Sequence, residues 1–172
     1  MPDGDDLFLI APWDQALDAA AIINEDFRRF TGYNPSITLS AGISIAEEKH
    51  PVQRGAKDAG SEEGRAKNAG RDRLSIAGKV IRWEEISHVT NLLSRLKKDG
   101  ERYLLNEGMR PVVQHLLLLI RSGDEALLPK IYYYCRAPGR KKVLEAVLLG
   151  INQPWLEMAL EVADLAGRGN NK

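Results

Sequence analysis

The sequence holds one cysteine, Cys135, no net charge and no long apolar run. Each of these lacks removes a class of protein. A single thiol excludes an intrachain disulfide framework and suits a reducing cytoplasm. Lys and Arg number 24, as do Asp and Glu. With the charges balanced, no global basic field draws nucleic acid non-specifically, and no acidic excess imitates it. No apolar stretch approaches the roughly 18 residues of a membrane span, so no membrane partner is expected. The N-terminus is charged at once and shows no signal-peptide pattern. His50, His88 and His115 have no spacing that makes zinc ligands of them. What remains is an ordinary soluble composition, 44% hydrophobic and 28% charged over 172 residues, enough for one or two small domains.

Apolar spacing divides what is there into two parts. In the first, residues 7–11 (Leu-Phe-Leu-Ile-Ala) form a short apolar run leaving a turn, which predicts a buried strand. Pro12-Trp13-Asp14 opens a helix in which Ala16, Ala19, Ala20, Ile23, Phe27 and Phe30 recur at helical spacing, and Gly32 closes it. Ile37, Leu39, Ala41, Ile43 and Ile45 alternate with Thr38, Ser40, Gly42 and Ser44, the clearest strand pattern, with Gly42 marking a close backbone approach or a bulge. Residues 51–69 read as a helix despite Gly55, Gly60 and Gly64, each costing roughly 1 kcal/mol relative to alanine in a helix interior. Short strands follow at 73–76 and 80–83. From Trp83 onward the pattern is helical. Ile86, Val89, Leu93 and Leu96 share one face, Pro111 opens an almost wholly apolar helix at 112–120, and further helices are expected at 126–134, 142–149 and 154–166. The expected domains are thus 1–82, α/β, and 83–172, all-helical.

The chemistry is concentrated in Asp3-Gly4-Asp5-Asp6, the turn that feeds the first apolar run. Glycine lets backbone turn or approach a ligand without a Cβ in the way. Two adjacent carboxylates can hold a hard divalent cation, and Mg²⁺ commonly joins one or two carboxylates to nucleotide phosphates. A tight turn carrying that pair into a strand is a phosphoryl-transfer corner.

Four stretches, taken in order, resemble one family. They are residues 4–13 (Gly-Asp-Asp-Leu-Phe-Leu-Ile-Ala-Pro-Trp), 38–43 (Thr-Leu-Ser-Ala-Gly-Ile), 70–74 (Gly-Arg-Asp-Arg-Leu) and 79–84 (Lys-Val-Ile-Arg-Trp-Glu). Together they resemble the nucleotidyl-cyclase-like palm, and most closely the second palm domain of the large cyclase/polymerase-like subunit of type III-A (Csm) CRISPR effector complexes. The helical part, with residues 129–134 (Pro-Lys-Ile-Tyr-Tyr-Tyr), looks like that subunit's C-terminal helical domain. The resemblance implies an α+β fold, a ferredoxin-like palm with an antiparallel sheet and two helices on one face, followed by an all-α helical bundle. It implies that ATP and Mg²⁺ or Mn²⁺ are bound and that ATP is joined into cyclic oligoadenylates in antiviral defence. Asp5 and Asp6 match the paired aspartates that hold the metal. Gly4 matches the hairpin's second glycine, Ser40 an adenine or ribose contact, and Lys67 and Arg71 the basic positions that pair with phosphates. The implied partners are the other subunits of the ribonucleoprotein, especially its small helical subunit, with guide and target RNA reached indirectly.

The chain departs from that pattern in two places. Asp3 stands where the family has its first glycine, and the family's first palm strand, with a further metal-ligating carboxylate, would lie upstream of Met1. The chain is therefore expected to be a fragment lacking the first strand, with little or no cyclase activity alone. The alternatives are a degenerate diguanylate-cyclase-like nucleotide-binding module and a structural scaffold in which Asp5 and Asp6 are vestigial. Structural readings stand beside the functional ones: Lys67 and Arg71 as cations at a helix C-terminus, His115 as a hydrogen-bonded residue at the core's margin, Cys135 as packing, two of Tyr132, Tyr133 and Tyr134 in the core, and Arg136, Arg140, Lys141 and Lys142 as a solvated face.

Overall fold

The computed structural model describes residues 6–46, 49–96, 110–123, 126, 128–136, 141–150 and 153–168, with backbone alone at 14, 110, 128, 131, 134–135, 141–144 and 166–168. The chain order is α1 (Trp13–Phe30), β1 (Ala41–Ile43), α2 (Val52–Asn68), β2 (Arg73–Ile76), β3 (Lys79–Arg82), a 3-10 turn at Trp83–Glu85, α3 (Ile86–Leu96), α4 (Arg110–Ser122), α5 (Leu128–Cys135), α6 (Lys141–Gly150) and α7 (Pro154–Arg168). Prolines open the helices. Pro12 and Pro51 are the N-caps of α1 and α2, and Pro111, Pro129 and Pro154 stand in the first turns of α4, α5 and α7. There a missing N–H breaks no helical hydrogen bond, and the fixed φ already suits the helix.

The sheet has the order β1-β2-β3. β1 runs parallel to β2, with Gly42 opposite Ser75, and β2 runs antiparallel to β3, with Arg73 opposite Arg82. The sheet is therefore mixed, which corrects the expected antiparallel arrangement. The cause is α2: a helical crossover between β1 and β2 returns the chain to the same end of the sheet, and such a connection makes a parallel pair. The β2–β3 link is a two-residue turn with Ala77 at φ 52° and Gly78 at φ 77°. Positive φ at both central residues is the type I′ geometry that matches strand twist. Glu62 on α2 holds this turn, accepting from Ser75 Oγ at 2.5 Å and from the Gly78 N–H at 3.1 Å.

Gly42 is where α2 meets the sheet. A Cβ there would lie 2.1 Å from the Glu63 nitrogen and 2.3 Å from the Ala59 oxygen, so helix backbone occupies the space of a side chain. Ser75, opposite Gly42, faces the same helix. The other face of the sheet carries Leu74, Ile76 and Ile81, each at most 1% exposed. Lys79, alternate to Ile81, reaches Glu157 of α7 at 2.6 Å, so α7 covers this second face. The expectation of two helices on one face therefore gives way to helices on both.

One core runs through both parts. Leu17, Leu74, Ile76, Ile81 and Trp83 pack in a single cluster with Leu92 and Leu96 of α3, Val112, Val113 and Leu116 of α4, and Leu156, Met158, Leu160 and Ala163 of α7. The face expected for the helix at 86–96, with Ile86, Val89, Leu93 and Leu96, is the one that buries, whereas the almost wholly apolar helix at 112–120 buries Val112, Val113, Leu116, Leu117 and Leu119 and exposes Leu118. Trp83 adds a tie across the sheet, its Nε1–H donating to the Leu39 carbonyl at 3.0 Å.

Three further expectations change. Residues 7–11 form no strand, and Leu7, Phe8, Leu9 and Ile10 are 49–72% exposed. A strand needs a ladder partner for its N–H and C=O groups, and among the described residues none pairs with this run. The alternating pattern at 37–45 yields only the three residues of β1, which lies at an edge of the sheet, and Ile37 is exposed. Tyr132 and Tyr133, of a trio expected to place two members in the core, are both exposed, and the Arg136 guanidinium lies 3.9 Å over the Tyr133 ring. His115 fits its expected place, half-buried with Nδ1 2.6 Å from the Pro111 oxygen. The Cys135, Lys141 and Lys142 side chains, and Arg140 altogether, lie outside the described residues.

Candidate functional site

Two segments supply the residues singled out in the sequence, the turn ahead of α1 and the C-terminal end of α2. Asp3, Gly4 and Asp5 lie outside the described residues, so the site is built from Asp6 onward.

α2 ends because Gly70 takes φ 119°, a conformation open to glycine. The Ala69 N–H donates to the Arg65 carbonyl at 2.9 Å and the Arg71 N–H reaches back to the Ala66 carbonyl at 3.2 Å, satisfying carbonyls that the helix end would leave free. Arg71 and Asp72 follow with φ of 59° and 50°, left-handed values unusual for residues with a Cβ. Asp72 is held there from a distance: one guanidinium nitrogen of Arg28, on α1, donates to both its carboxylate oxygens at 3.0 and 2.9 Å. The loop presenting Arg71 is thereby fixed to both α1 and α2.

Lys67 sits on the last turn of α2, 2.7 Å from Glu63 one turn earlier. Its pKa is raised above the ordinary 10.5, first by the hydrogen bond to Glu63 and then by that carboxylate's charge; Asp6 raises it further, while Arg71 lowers it. Asp6 and Arg71 are therefore each within electrostatic reach of Lys67, although α1 and β1 intervene between Asp6 and α2 in the chain. Asp6 and Arg71 are exposed. Ser40 lies half-buried immediately before β1, in the segment anchored by the Trp83–Leu39 bond.

No group of three His, Cys, Asp or Glu side chains able to hold a metal comes together among the described residues. Mg²⁺ is typically held by one or two carboxylates, with water and phosphate oxygens completing its shell. Asp6 supplies one such carboxylate, and Lys67, within its electrostatic reach, and Arg71 are cations that suit the phosphates that would accompany the ion. This donor set fits a metal–triphosphate better than a bare metal.

The sequence reading missed Arg28, Asp72, Arg73 and Arg82. Arg28 is far from Asp72 in the chain, so no local spacing announces that pair. Arg73 and Arg82 become neighbours through the hairpin register, for which Ala77-Gly78 was the available signal.

Comparison with known proteins points to one family. Residues 3–75 match the family model described as Cas10/Cmr2, second palm domain. The chain is 28% identical over 134 residues to the Enterococcus italicus protein named CRISPR system single-strand-specific deoxyribonuclease Cas10/Csm1 (subtype III-A), a match covering 76% of this chain and 17% of that protein. A Mycobacterium tuberculosis protein of the same name is 26% identical over 141 residues, covering 76% of this chain and 16% of its own. A third, from Methanocaldococcus jannaschii, is 38% identical over 65 residues, covering 38% and 8%. No solved structure gives a significant match. The chain spans about a sixth of the length of the first two relatives. Residues 3–75 are thus similar to the second palm domain of Cas10/Cmr2, and the similarity to Cas10/Csm1 proteins extends over 76% of the chain.

Proposed function

We propose that the acidic turn and the C-terminal end of α2 form a corner that binds the triphosphate of ATP with Mg²⁺ or Mn²⁺, as part of a palm that makes cyclic oligoadenylates in type III CRISPR defence. The observation carrying this reading is geometric: Lys67 in the last turn of α2 and the exposed Arg71 on the loop that closes it, fixed through Arg28–Asp72, stand together at one helix end, with Asp6 within electrostatic reach of Lys67. A carboxylate for the metal and two cations for phosphate oxygens are the groups phosphoryl transfer requires, since its catalysis is mostly positioning and charge stabilisation.

Each residue has a task in this reading. Asp5 and Asp6 hold the metal, and Gly4 lets ribose or phosphate lie against the backbone. Ser40 contacts the adenine or ribose face. Arg71, exposed on a loop fixed by the Arg28–Asp72 pair, meets phosphate oxygens with a rigid fork. Lys67 meets them as a point charge after releasing Glu63. Before that release Glu63 holds the pKa of Lys67 above the ordinary 10.5, so the ammonium that meets phosphate near neutrality is charged. A bound divalent ion would neutralise charge developing on the phosphoryl oxygens and make the 3′-hydroxyl a better nucleophile.

The deoxyribonuclease activity named for the relatives belongs to proteins of which this chain spans about a sixth. The partners proposed here are the other subunits of the effector complex, the small helical subunit first among them. Pull-down with that subunit should recover the chain through its helices, and recovery that depends only on residues 1–82 contradicts this.

The test of the nucleotide reading is ATP binding by the chain with and without Mn²⁺. Binding should require the metal and disappear in the Asp5→Ala, Asp6→Ala double variant. Absence of Mn²⁺-dependent ATP binding leaves a scaffold with vestigial aspartates, and binding unchanged in the variant means that the carboxylates do not carry it. Incubation with ATP and Mn²⁺ should yield no oligoadenylate from the chain alone, and robust turnover contradicts that part of the proposal.

A further inference from the structure

At the loop that closes α2 lies a groove of about 330 Å³ lined by Gly70, Arg71, Asp72, Arg73, Arg82 and Glu84. Its volume is at the lower end of small-ligand sites. Three arginines converge on it, and one carboxylate of its lining, Asp72, is already engaged by Arg28. Glu84 is exposed, and Arg82, whose side chain is 65% exposed, makes only a loose 3.8 Å contact with Glu85.

Two observations suit the groove to an anion. The Nε of Arg73 is buried and has no hydrogen-bond partner among the described residues. A buried donor left unpaired is costly, more so when the group is charged. The register also sets Arg73 directly opposite Arg82, both on the sheet face that carries Ser75. Like charges facing one another across a ladder are destabilising. The negative end of α2 explains why cations gather nearby, but it leaves the inner nitrogen of Arg73 unpaired. Gly70 makes the room: a Cβ there would touch the Arg73 guanidinium at 3.5 Å.

We infer that this groove is a phosphate subsite in which Arg73 is the inner ligand and Arg82 the outer one, and that it receives the terminal phosphate of a nucleoside triphosphate whose inner phosphates meet Arg71 and Lys67. The inference rests on the nucleotide reading for the identity of its ligand. The groove itself rests on the arginines alone. One phosphate oxygen accepts from Arg73 Nε–H, and the dianion separates the Arg73 and Arg82 charges. Arg71 lines the groove and shares the field at Lys67, so it joins the two places.

The experiment titrates inorganic tripolyphosphate, without metal, into the full 172-residue chain while the arginine Nε–H resonances are followed by NMR. The Arg73 signal should shift on titration. Arg73→Gln should weaken tripolyphosphate and ATP about tenfold, the loss expected for one charge-assisted hydrogen bond, and leave adenosine unaffected. Arg82→Gln, at an exposed position, should give a smaller loss in the same direction and guards against a folding defect in the first variant. An unmoved Arg73 signal, or unchanged affinity in both variants, overturns the inference and leaves a structural cation cluster. Binding of a short oligonucleotide but not of tripolyphosphate overturns it too, because the groove would then read a nucleic-acid backbone. The two readings fail separately. If Asp5→Ala, Asp6→Ala abolishes Mn²⁺-dependent ATP binding while Arg73→Gln changes nothing, the corner stands and the groove falls. If tripolyphosphate moves Arg73 while the double aspartate variant keeps its ATP, the groove stands and the metal corner falls.

Discussion

Residues 7–10 and residues 116–119 are both runs of large apolar side chains, yet they end in opposite surroundings. Leu116, Leu117 and Leu119 are buried in α4, whereas Leu7, Phe8, Leu9 and Ile10 lie exposed. Hydrophobicity does not separate them; the backbone does. A helix satisfies its own N–H and C=O groups, so α4 needs only a face to pack against, and α7 provides one. An extended run needs another strand beside it before its side chains can be buried, and β1 leaves the sheet with an edge. The helical part of this chain is thus self-sufficient locally, while the palm part depends on pairing.

That contrast can be broken by substitution. The largest effect is expected at the centre of the shared core. Leu156→Ala, at a position 1% exposed, should cost about 2–5 kcal/mol in chemical denaturation, and because the core is continuous the sheet and helices should lose structure together. Two separate transitions would instead show that the parts fold independently. Next comes Gly42→Ala, whose Cβ would collide with α2 backbone. A loss of about 1–3 kcal/mol is expected, and a neutral result would mean that α2 does not sit on the sheet as described. The smallest change should come from Leu9→Ser. With no packing to lose, its stability should stay within about 0.5 kcal/mol of the parent, and a cost comparable to that of Leu156→Ala would place the run in a core.

Much of the helical architecture was legible. The 3.6-residue recurrence of Ile86, Val89, Leu93 and Leu96 marks the face that is buried, and the prolines mark starts because their chemistry is local. Gly42 was legible as a close approach, though not which element approaches it. What stayed hidden depends on partners distant in sequence. Leu, Phe, Leu, Ile at 7–10 reads as a strand under any local rule. The mixed sheet was legible in principle, since a helix-length link between β1 and β2 implies a parallel pair, whereas the palm resemblance implies an antiparallel one. At the candidate site, Lys67 and Arg71 were found by motif. The support beneath Arg71, from Arg28 through Asp72, and the opposition of Arg73 to Arg82 required the fold.

The central claim is that Asp6, Lys67 and Arg71 surround one metal–triphosphate. Paramagnetic broadening by Mn²⁺ in the presence of ATP tests it directly, because the ion erases NMR signals of residues near it. The account predicts selective loss at Asp6, Lys67 and Arg71, with α7 untouched and with no such loss when Mn²⁺ is added without ATP. Broadening centred elsewhere, or none at these three residues with ATP present, contradicts it.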